Sequence, residues 1–180
     1  MRGWRRSPWF FGALAGAVAL AAGILWRQLA VDSTSTTDRA ANSAPLLALT
    51  LPDATGEQET LGQWKGKVLI VNFWATWCEP CKEEMPRFIK LQDEFGPKGL
   101  QFVGVAIDQP EKVRAFAKDI GLNYPTLVGG YGAIELSKTL GNRVGALPFT
   151  VVLDRAGGVV LTQLGPVKDA QLQSMIRQLI

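Results

Sequence analysis

The chain has 180 residues, 47% of them hydrophobic and 19% charged, which is typical of one globular domain with an additional segment. It contains no histidine, which excludes Ser–His and Cys–His catalysis and any metal site that needs imidazole. The net charge of +3 comes from residues 1–30, which hold four arginines and no acid. The rest of the chain has 15 basic and 16 acidic residues, so we expect it to bind no nucleic acid.

The N-terminal segment contains an apolar run from Phe10 to Trp26. At 1.5 Å per residue it reaches about 25 Å, near the lower limit for crossing a bilayer. Flanking tryptophans predict that residues 9–26 contact the lipid bilayer, within a membrane anchor or signal segment at residues 1–30. Because the basic side stays in the cytoplasm, we expect a single-pass protein of the cytoplasmic (inner) membrane with its N-terminus inside. The remainder should lie in the periplasm or extracytoplasmic space.

A cleaved signal peptide is the alternative for this segment, since Ala19-Leu20-Ala21 has small residues that a signal peptidase accepts. The apolar run continues past that point to Trp26, which favours an uncleaved anchor. Residues 31–44 are polar and rich in Ser and Thr, which predicts a flexible linker. The folded domain is then expected at residues 45–180, in an oxidising compartment.

The periodicity of residues 45–180 predicts an α/β domain. Leu46–Leu51 and Glu57–Thr60 suggest an N-terminal β-hairpin, and the apolar runs Val68–Trp74 and Gln101–Ile107 are typical of buried parallel strands. Further strands are predicted at 124–128, 149–153 and 159–164, and helices at 79–95, 110–120, 133–140 and 168–180. This order predicts a mixed α/β sandwich.

The only two cysteines lie in Trp77-Cys78-Glu79-Pro80-Cys81, between a predicted strand and a predicted helix. Positions i and i+3 of a helix are about 4.5 Å apart along the axis, compatible with the roughly 4.4–6.8 Å between the Cα atoms of a disulfide. We expect Cys78 in the first turn, facing solvent, where the helix dipole favours its thiolate, and Cys81 as the more buried resolving group. So short a ring stabilises little, which favours redox chemistry over a structural disulfide.

The segment Lys67–Pro86 resembles the active-site segment of the thioredoxin superfamily, in its membrane-anchored TlpA/ResA-like branch. The likeness runs from about Pro45 to the end of the chain. It implies a thioredoxin-like fold, a mixed central sheet flanked by helices, with an N-terminal β-hairpin and a central insertion, here preceded by one transmembrane helix. It also implies that the Cys78–Cys81 pair reacts without a cofactor or a metal. Trp77, Glu79 and Pro80 would be supporting residues of this active site.

Four other residues gain a role from this resemblance. Glu84, three residues after Cys81, would accept and donate protons near the active cysteines. The alternative interpretation is that Glu84 is an ordinary solvated charge on the helix surface. Asn72 stands where thioredoxin itself has a buried acid, so the proton route would differ. The Leu147–Pro148 bond would be cis and lie beside the disulfide, where it would block metal capture and leave the Leu147 backbone open to a substrate strand. Without the resemblance, Pro148 would only begin an edge strand.

The implied function is that of an exported thiol–disulfide oxidoreductase, mainly a reductase of disulfides in exported proteins. The branch includes reductants of apocytochrome c cysteines and of copper-site assembly proteins, and a membrane electron donor of the thiol-reducing type would be required. The alternative is a non-catalytic copper(I)-binding module that uses the same two thiolates. A peroxidase of this fold would need a threonine where Ala75 stands.

Overall fold

The structure is a computed structural model that describes residues 43–180. The predicted membrane segment, at residues 1–30, and all but the last two residues of the predicted linker lie outside the described residues. Within residues 43–180, none of the helices combines the length and the apolar character that a bilayer crossing requires.

Helical residues 43–47 open the described part, and seven strands and four numbered helices follow. The strands are β1 (Thr50–Pro52), β2 (Gln58–Thr60), β3 (Val68–Trp74), β4 (Leu100–Ala106), β5 (Thr126–Val128), β6 (Phe149–Leu153) and β7 (Val159–Leu164). The α-helices are α1 (Glu79–Phe95), α2 (Pro110–Asp119), α3 (Gly130–Thr139) and α4 (Asp169–Leu179). Short 3-10 turns cover Leu61–Trp64 and Gly96–Lys98.

Five strands form the central sheet, in the order β5-β4-β3-β6-β7. The pairs β3–β4 and β4–β5 are parallel, whereas β6 is antiparallel to both β3 and β7. The carboxyl ends of β3, β4 and β5 therefore lie at the same edge of the sheet as the start of β6. Loops that follow parallel strands meet at this edge, which is where α/β proteins place their active sites.

The central strand β3 explains how one polar residue faces a helix. All seven of its residues are buried, as expected for a strand covered on both faces. Side chains alternate between faces, so Ile70 and Trp74 belong to one apolar cluster, and Val71 and Phe73 to the other. Asn72 therefore points to the same face as Ile70 and Trp74, the face that α1 covers.

Helix α1 buries one stripe of side chains at helical spacing: Cys81, Glu84, Met85, Phe88, Leu91 and Phe95. The helix begins and ends where the sequence predicts, and it continues through Pro86. Because Glu84 falls in the apolar stripe, packing of α1 against the sheet carries its carboxyl group into the core.

The N-terminal hairpin of β1 and β2 is confirmed, but the predicted strand Leu46–Leu51 is wrong. Residues 43–47 are helical and pairing starts only at Thr50. Short apolar runs do not distinguish strand from helix, and here the buried Ser43 hydroxyl donates to the carbonyl of Gly157 and holds the helical turn on the domain. Residues 43 and 44, assigned above to the linker, are thus part of the folded structure.

The segment between α2 and β6 contains β5 and α3, the region in which the resemblance implies an insertion. Strand β5 adds to the edge of the sheet beside β4. Helix α3 starts at Gly130, three residues before the predicted Ala133. This earlier start matters for the site, because it brings the exposed Tyr131 to the edge where the cysteines lie.

Candidate active site

The two cysteines form a disulfide at the start of α1, with a Cα–Cα distance of 5.3 Å. Cys78 is the N-cap residue, with extended backbone angles of φ −90° and ψ 100°, so it precedes the first turn instead of lying within it. Its N–H donates to the carbonyl of Ala75 at 3.1 Å, and its carbonyl accepts from the N–H of Lys82 at 3.2 Å. The free N–H groups of the first turn favour a thiolate at this position.

The two cysteines differ less in solvent exposure than the sequence predicts. It predicts an exposed Cys78 and a buried Cys81. Cys81 is fully buried, as expected, whereas Cys78 is only 6% exposed and does not face solvent broadly. The reason is that the N-cap position turns Cys78 toward Cys81 and into the apolar cluster under α1. A substrate sulfur can therefore reach Cys78 only through a small opening, and it cannot reach Cys81 directly.

Behind Cys81, three polar side chains form a buried network. The side-chain N–H₂ of Asn72 donates to Glu84 Oε1 at 2.8 Å and to Thr150 Oγ1 at 3.1 Å. Asn72 and Thr150 are directly paired across β3 and β6. Glu84 Oε2 is buried and makes no hydrogen bond of ordinary geometry to a described residue. Glu84 is therefore not a solvated helix charge.

This environment favours the neutral form of Glu84. Burial raises the pKa of Glu84 from its ordinary value of 4.5 to about 7. Three interactions lower the pKa of Glu84: the hydrogen bond from Asn72, the backbone of Val167 and the positive charge of Arg87. Together they only partly offset the loss of hydration. A carboxyl group with a pKa of about 7 can take up or release a proton near neutral pH.

On the other side of the disulfide, Asp108 holds the loop before the cysteines. Its carboxylate accepts from the N–H of Thr76 at 3.3 Å, from the Thr76 hydroxyl, and from the N–H of Gln109 at 2.8 Å. Burial acts to raise the pKa of Asp108, but these hydrogen bonds and the charge of Lys112 outweigh it and keep the pKa below its ordinary range. Asp108 therefore acts as a fixed negative charge that orders the segment leading to Cys78.

The remaining motif residues lie at the surface around Cys78. Trp77 is 65% exposed, and Pro80 occupies the first turn of α1 as predicted. Glu79 pairs with Lys82 at 2.6 Å, one turn apart on the exposed face.

The peptide bond between Leu147 and Pro148 is cis, as the resemblance implied. It lies just before β6, at the sheet edge that carries the disulfide. The Pro148 carbonyl accepts from the N–H of Gly165 at 2.9 Å. Neither the N–H nor the carbonyl of Leu147 is hydrogen-bonded to another described residue. Its backbone can therefore pair with an incoming strand.

The structure brings together every site residue that the sequence named, at one edge of the sheet or directly beneath it. It adds Thr150 and Asp108, which the sequence analysis missed. Asp108 follows β4, and the rule that placed the cysteines after β3 could have found it. Thr150 depended on the register of β6 against β3, which no local pattern reveals. Within residues 43–180, His, Cys, Asp and Glu side chains form no cluster of three or more that could hold a metal ion.

A sulfur pair at the N-terminus of a helix, on a sheet of this topology, defines the class of a thiol–disulfide oxidoreductase with a thioredoxin-like fold. Comparison with known proteins agrees: the Redoxin family model matches residues 39–179. The chain therefore belongs to the Redoxin family and is a ResA-like member of the thioredoxin superfamily.

Three relatives illustrate the similarity. The thioredoxin-like protein YneN of Bacillus subtilis is 35% identical over 70% of this chain and 73% of its own length. The thiol-disulfide oxidoreductase ResA of Bacillus thuringiensis is 31% identical over 71% and 72%. A crystal structure of a thioredoxin-family thiol:disulfide interchange protein from Chlorobium tepidum superposes with a TM-score of 0.66, at 28% identity, covering 73% of this chain and 92% of that one. These relatives favour redox chemistry over copper(I) binding as the role of the cysteine pair.

Proposed function

We propose that this oxidoreductase works as an exported, membrane-anchored reductase of disulfides in other exported proteins. The observation that carries the proposal is the unequal access to the two sulfur atoms. Cys78 is slightly exposed, at the same edge of the sheet as the unpaired backbone of Leu147, whereas Cys81 is fully buried. An extended substrate can therefore lie along Leu147 and present its disulfide to Cys78 alone.

The reaction starts from the reduced pair, with Cys78 as the thiolate. Its sulfur attacks one sulfur of the substrate disulfide, that S–S bond breaks, and the departing substrate thiolate takes up a proton. Cys81 then loses its proton and attacks Cys78, which breaks the mixed disulfide and releases the second substrate thiol. Two electrons have passed to the substrate, and the Cys78–Cys81 disulfide has formed. Of the two protons on the new substrate thiols, one balances the proton lost by Cys81 and the other comes from solvent, which took up the Cys78 proton when that thiolate formed.

Glu84 is suited to take the proton that Cys81 must lose. It lies one turn after Cys81 on the buried stripe of α1, and its pKa of about 7 allows a fraction to be ionised at neutral pH. The group that returns electrons to the oxidised pair would be a membrane donor of the thiol-reducing type.

The proposed location and substrates rest on the sequence and the resemblance. The arginine-flanked apolar run at residues 9–26 supports an N-terminus inside the cytoplasmic membrane and a domain in the periplasm or extracytoplasmic space. Apocytochrome c and copper-site assembly proteins are candidate substrates, because the TlpA/ResA-like branch includes reductants for both.

Substrate trapping tests the proposal. In cells that express the full chain with Cys81→Ala, the mixed disulfide at Cys78 cannot be resolved, so substrates should remain covalently attached. We expect non-reducing gels and mass spectrometry to identify exported proteins that contain cysteine pairs. Every such complex should disappear on reduction with dithiothreitol.

The matched control is Cys78→Ser combined with Cys81→Ala, which has no thiol and should trap nothing. Trapped partners that are all cytoplasmic would contradict the proposed location. Trapped partners whose cysteines are reduced in cells that lack this chain and oxidised in cells that contain it would reverse the proposed direction.

A further inference from the structure

A cleft of about 500 Å³ opens beside Trp77, the residue that precedes Cys78, and Asp108 is one of the residues that line it. Its lining includes Trp77 after β3, Gln109 and Pro110 after β4, and Gly130 and Tyr131 after β5. These three strands are parallel neighbours, so the segments that follow them meet at one edge. The cleft therefore extends from the residue that precedes Cys78 to the first turn of α3.

Two aromatic side chains of this cleft are turned toward solvent. Trp77 is 65% exposed and Tyr131 is 85% exposed, and within residues 43–180 every other aromatic side chain is buried or half-buried. Covering exposed rings of this size with an apolar partner removes apolar surface from water and is favourable. Both line one cleft, and one of them directly precedes the reactive Cys78 in the chain, which indicates a surface shaped for a ligand.

The charges near the cleft largely compensate each other. Asp108, whose side chain is 5% exposed, is held by hydrogen bonds and lies 3.9 Å from the ammonium group of Lys112. Glu79 and Lys82 form a second pair nearby on α1. With little uncompensated charge and two free ring faces, the cleft suits an uncharged planar side chain, which gains both apolar burial and ring–ring contact.

The sheet order places the cleft relative to the substrate path. Cys78 follows β3, the cleft lies toward β4 and β5, and Leu147 precedes β6 on the opposite side of β3. A strand that pairs with Leu147 and passes Cys78 would continue toward Trp77 and Tyr131. An extended chain advances roughly 3.3 Å per residue, so only a few residues separate the two positions.

We infer that the cleft binds an aromatic side chain of the polypeptide substrate, located a few residues from the cysteine that Cys78 attacks. This inference rests on the proposed reductase function and adds the substrate feature that the enzyme selects. Disulfides with a neighbouring aromatic residue in an extended, accessible segment are then the preferred substrates.

Single-turnover reduction of model peptides tests the inference. The reduced full chain is mixed with peptides closed by one disulfide, in which phenylalanine, alanine or arginine occupies successive positions beside one cysteine. At the best position we expect the phenylalanine peptide to react about tenfold faster than the alanine peptide. Tyr131→Ala should bring this ratio close to one, whereas Tyr131→Phe should retain it.

Val144→Ala is the matched control, since Val144 is also an exposed apolar residue but does not line the cleft, and it should keep the ratio. A wild-type protein that reduces all three peptides equally, a ratio that survives in Tyr131→Ala, or an arginine peptide as fast as the phenylalanine peptide would overturn the inference alone. Failure to reduce even the alanine peptide would overturn the reductase function with it. Sedimentation showing a dimer that Tyr131→Ala dissociates would assign the cleft to a second copy of the chain and also overturn the inference.

Discussion

The two sides of the active-site disulfide each carry one buried carboxyl group, and the two groups differ in their hydrogen bonds. On the inner side, behind Cys81, Glu84 accepts a hydrogen bond from Asn72 through Oε1. Its second oxygen, Oε2, has no hydrogen bond of ordinary geometry to a described residue. On the outer side, before Cys78, Asp108 accepts from both the backbone and the hydroxyl of Thr76 and from the backbone of Gln109.

Burial alone therefore does not decide whether a carboxyl group at this site is protonated. Desolvation acts to raise the pKa of both groups. It prevails for Glu84, whose pKa rises to about 7, and it is outweighed for Asp108, whose pKa stays below the ordinary 3.8. The inner side therefore holds a group that can exchange protons near neutral pH, and the outer side holds a permanent charge that orders a loop.

Substitution of either cysteine should change the rate of disulfide reduction more than any other change, and the two substitutions should differ. Cys78→Ser should lower the single-turnover rate of disulfide reduction on the order of a thousandfold or more, as loss of a covalent nucleophile does. Cys81→Ala should still form the mixed disulfide but accumulate it. Rapid acid quenching followed by intact mass measurement distinguishes the two. A Cys78→Ser variant that accumulates a mixed disulfide at Cys81 would reverse the assigned roles of the outer and inner sulfur.

Glu84 should make the stability of the oxidised protein depend on pH. Its pKa is about 7 in the folded state and near 4.5 when unfolded, so the folded state retains the proton longer and loses stability as pH rises from 4.5 through 7. We expect the free energy of unfolding in urea to fall by about 2–3 kcal/mol between pH 5 and 8. Histidine does not contribute, because the chain has none.

Glu84→Gln should remove this slope and make the protein more stable than wild type at pH 8. Glu83→Gln, at the exposed neighbouring position of α1, is the matched control and should leave the slope unchanged. In the reduced protein, Glu84→Gln should also change the pH at which Cys81 reacts. An unchanged thiol titration would rule out the proton role while leaving the burial argument intact.

Asp108→Asn should destabilise the folded protein by about 1–2 kcal/mol at pH 7, because a charged acceptor of several hydrogen bonds becomes neutral. Since the pKa of Asp108 is lowered on folding, its contribution is present above pH 3.8 and is lost as pH falls below that value. The difference between variant and wild type should therefore shrink in acid. Asp119→Asn, exposed at the other end of α2, should change stability by less than about 0.5 kcal/mol. Equal losses for both variants at every pH would mean that Asp108 does not order the loop.

The smallest effect is expected for the exposed charge beside Cys78. Glu79→Gln breaks the ion pair with Lys82, which lies at the surface and should contribute no more than about 0.5 kcal/mol. Urea unfolding at low and high salt measures this contribution. If Glu79→Gln lowers the free energy of unfolding as much as Asp108→Asn does, the exposed carboxylate contributes as much stability as the buried one. The difference in their hydrogen bonds would then not explain their roles.

Local patterns of residues are sufficient to predict the strand and the helix that carry the chemistry. Strand β3 and helix α1 were predicted with their observed bounds, because a continuous apolar run and a stripe at helical spacing are local patterns. The Cys-x-x-Cys spacing predicted the disulfide for the same reason. The strand Leu46–Leu51 failed because a short run of leucines fits either kind of secondary structure.

The protonation state and the surroundings of the reactive groups, in contrast, depend on how the elements pack in three dimensions. The pKa of Glu84, the small opening over Cys78 and the cleft between Trp77 and Tyr131 all depend on which surfaces pack together, and no local pattern encodes that. The physical reason is that desolvation and hydrogen bonding act through space, so residues far apart in the chain, such as Asn72 and Thr150, set the environment of a single carboxyl group.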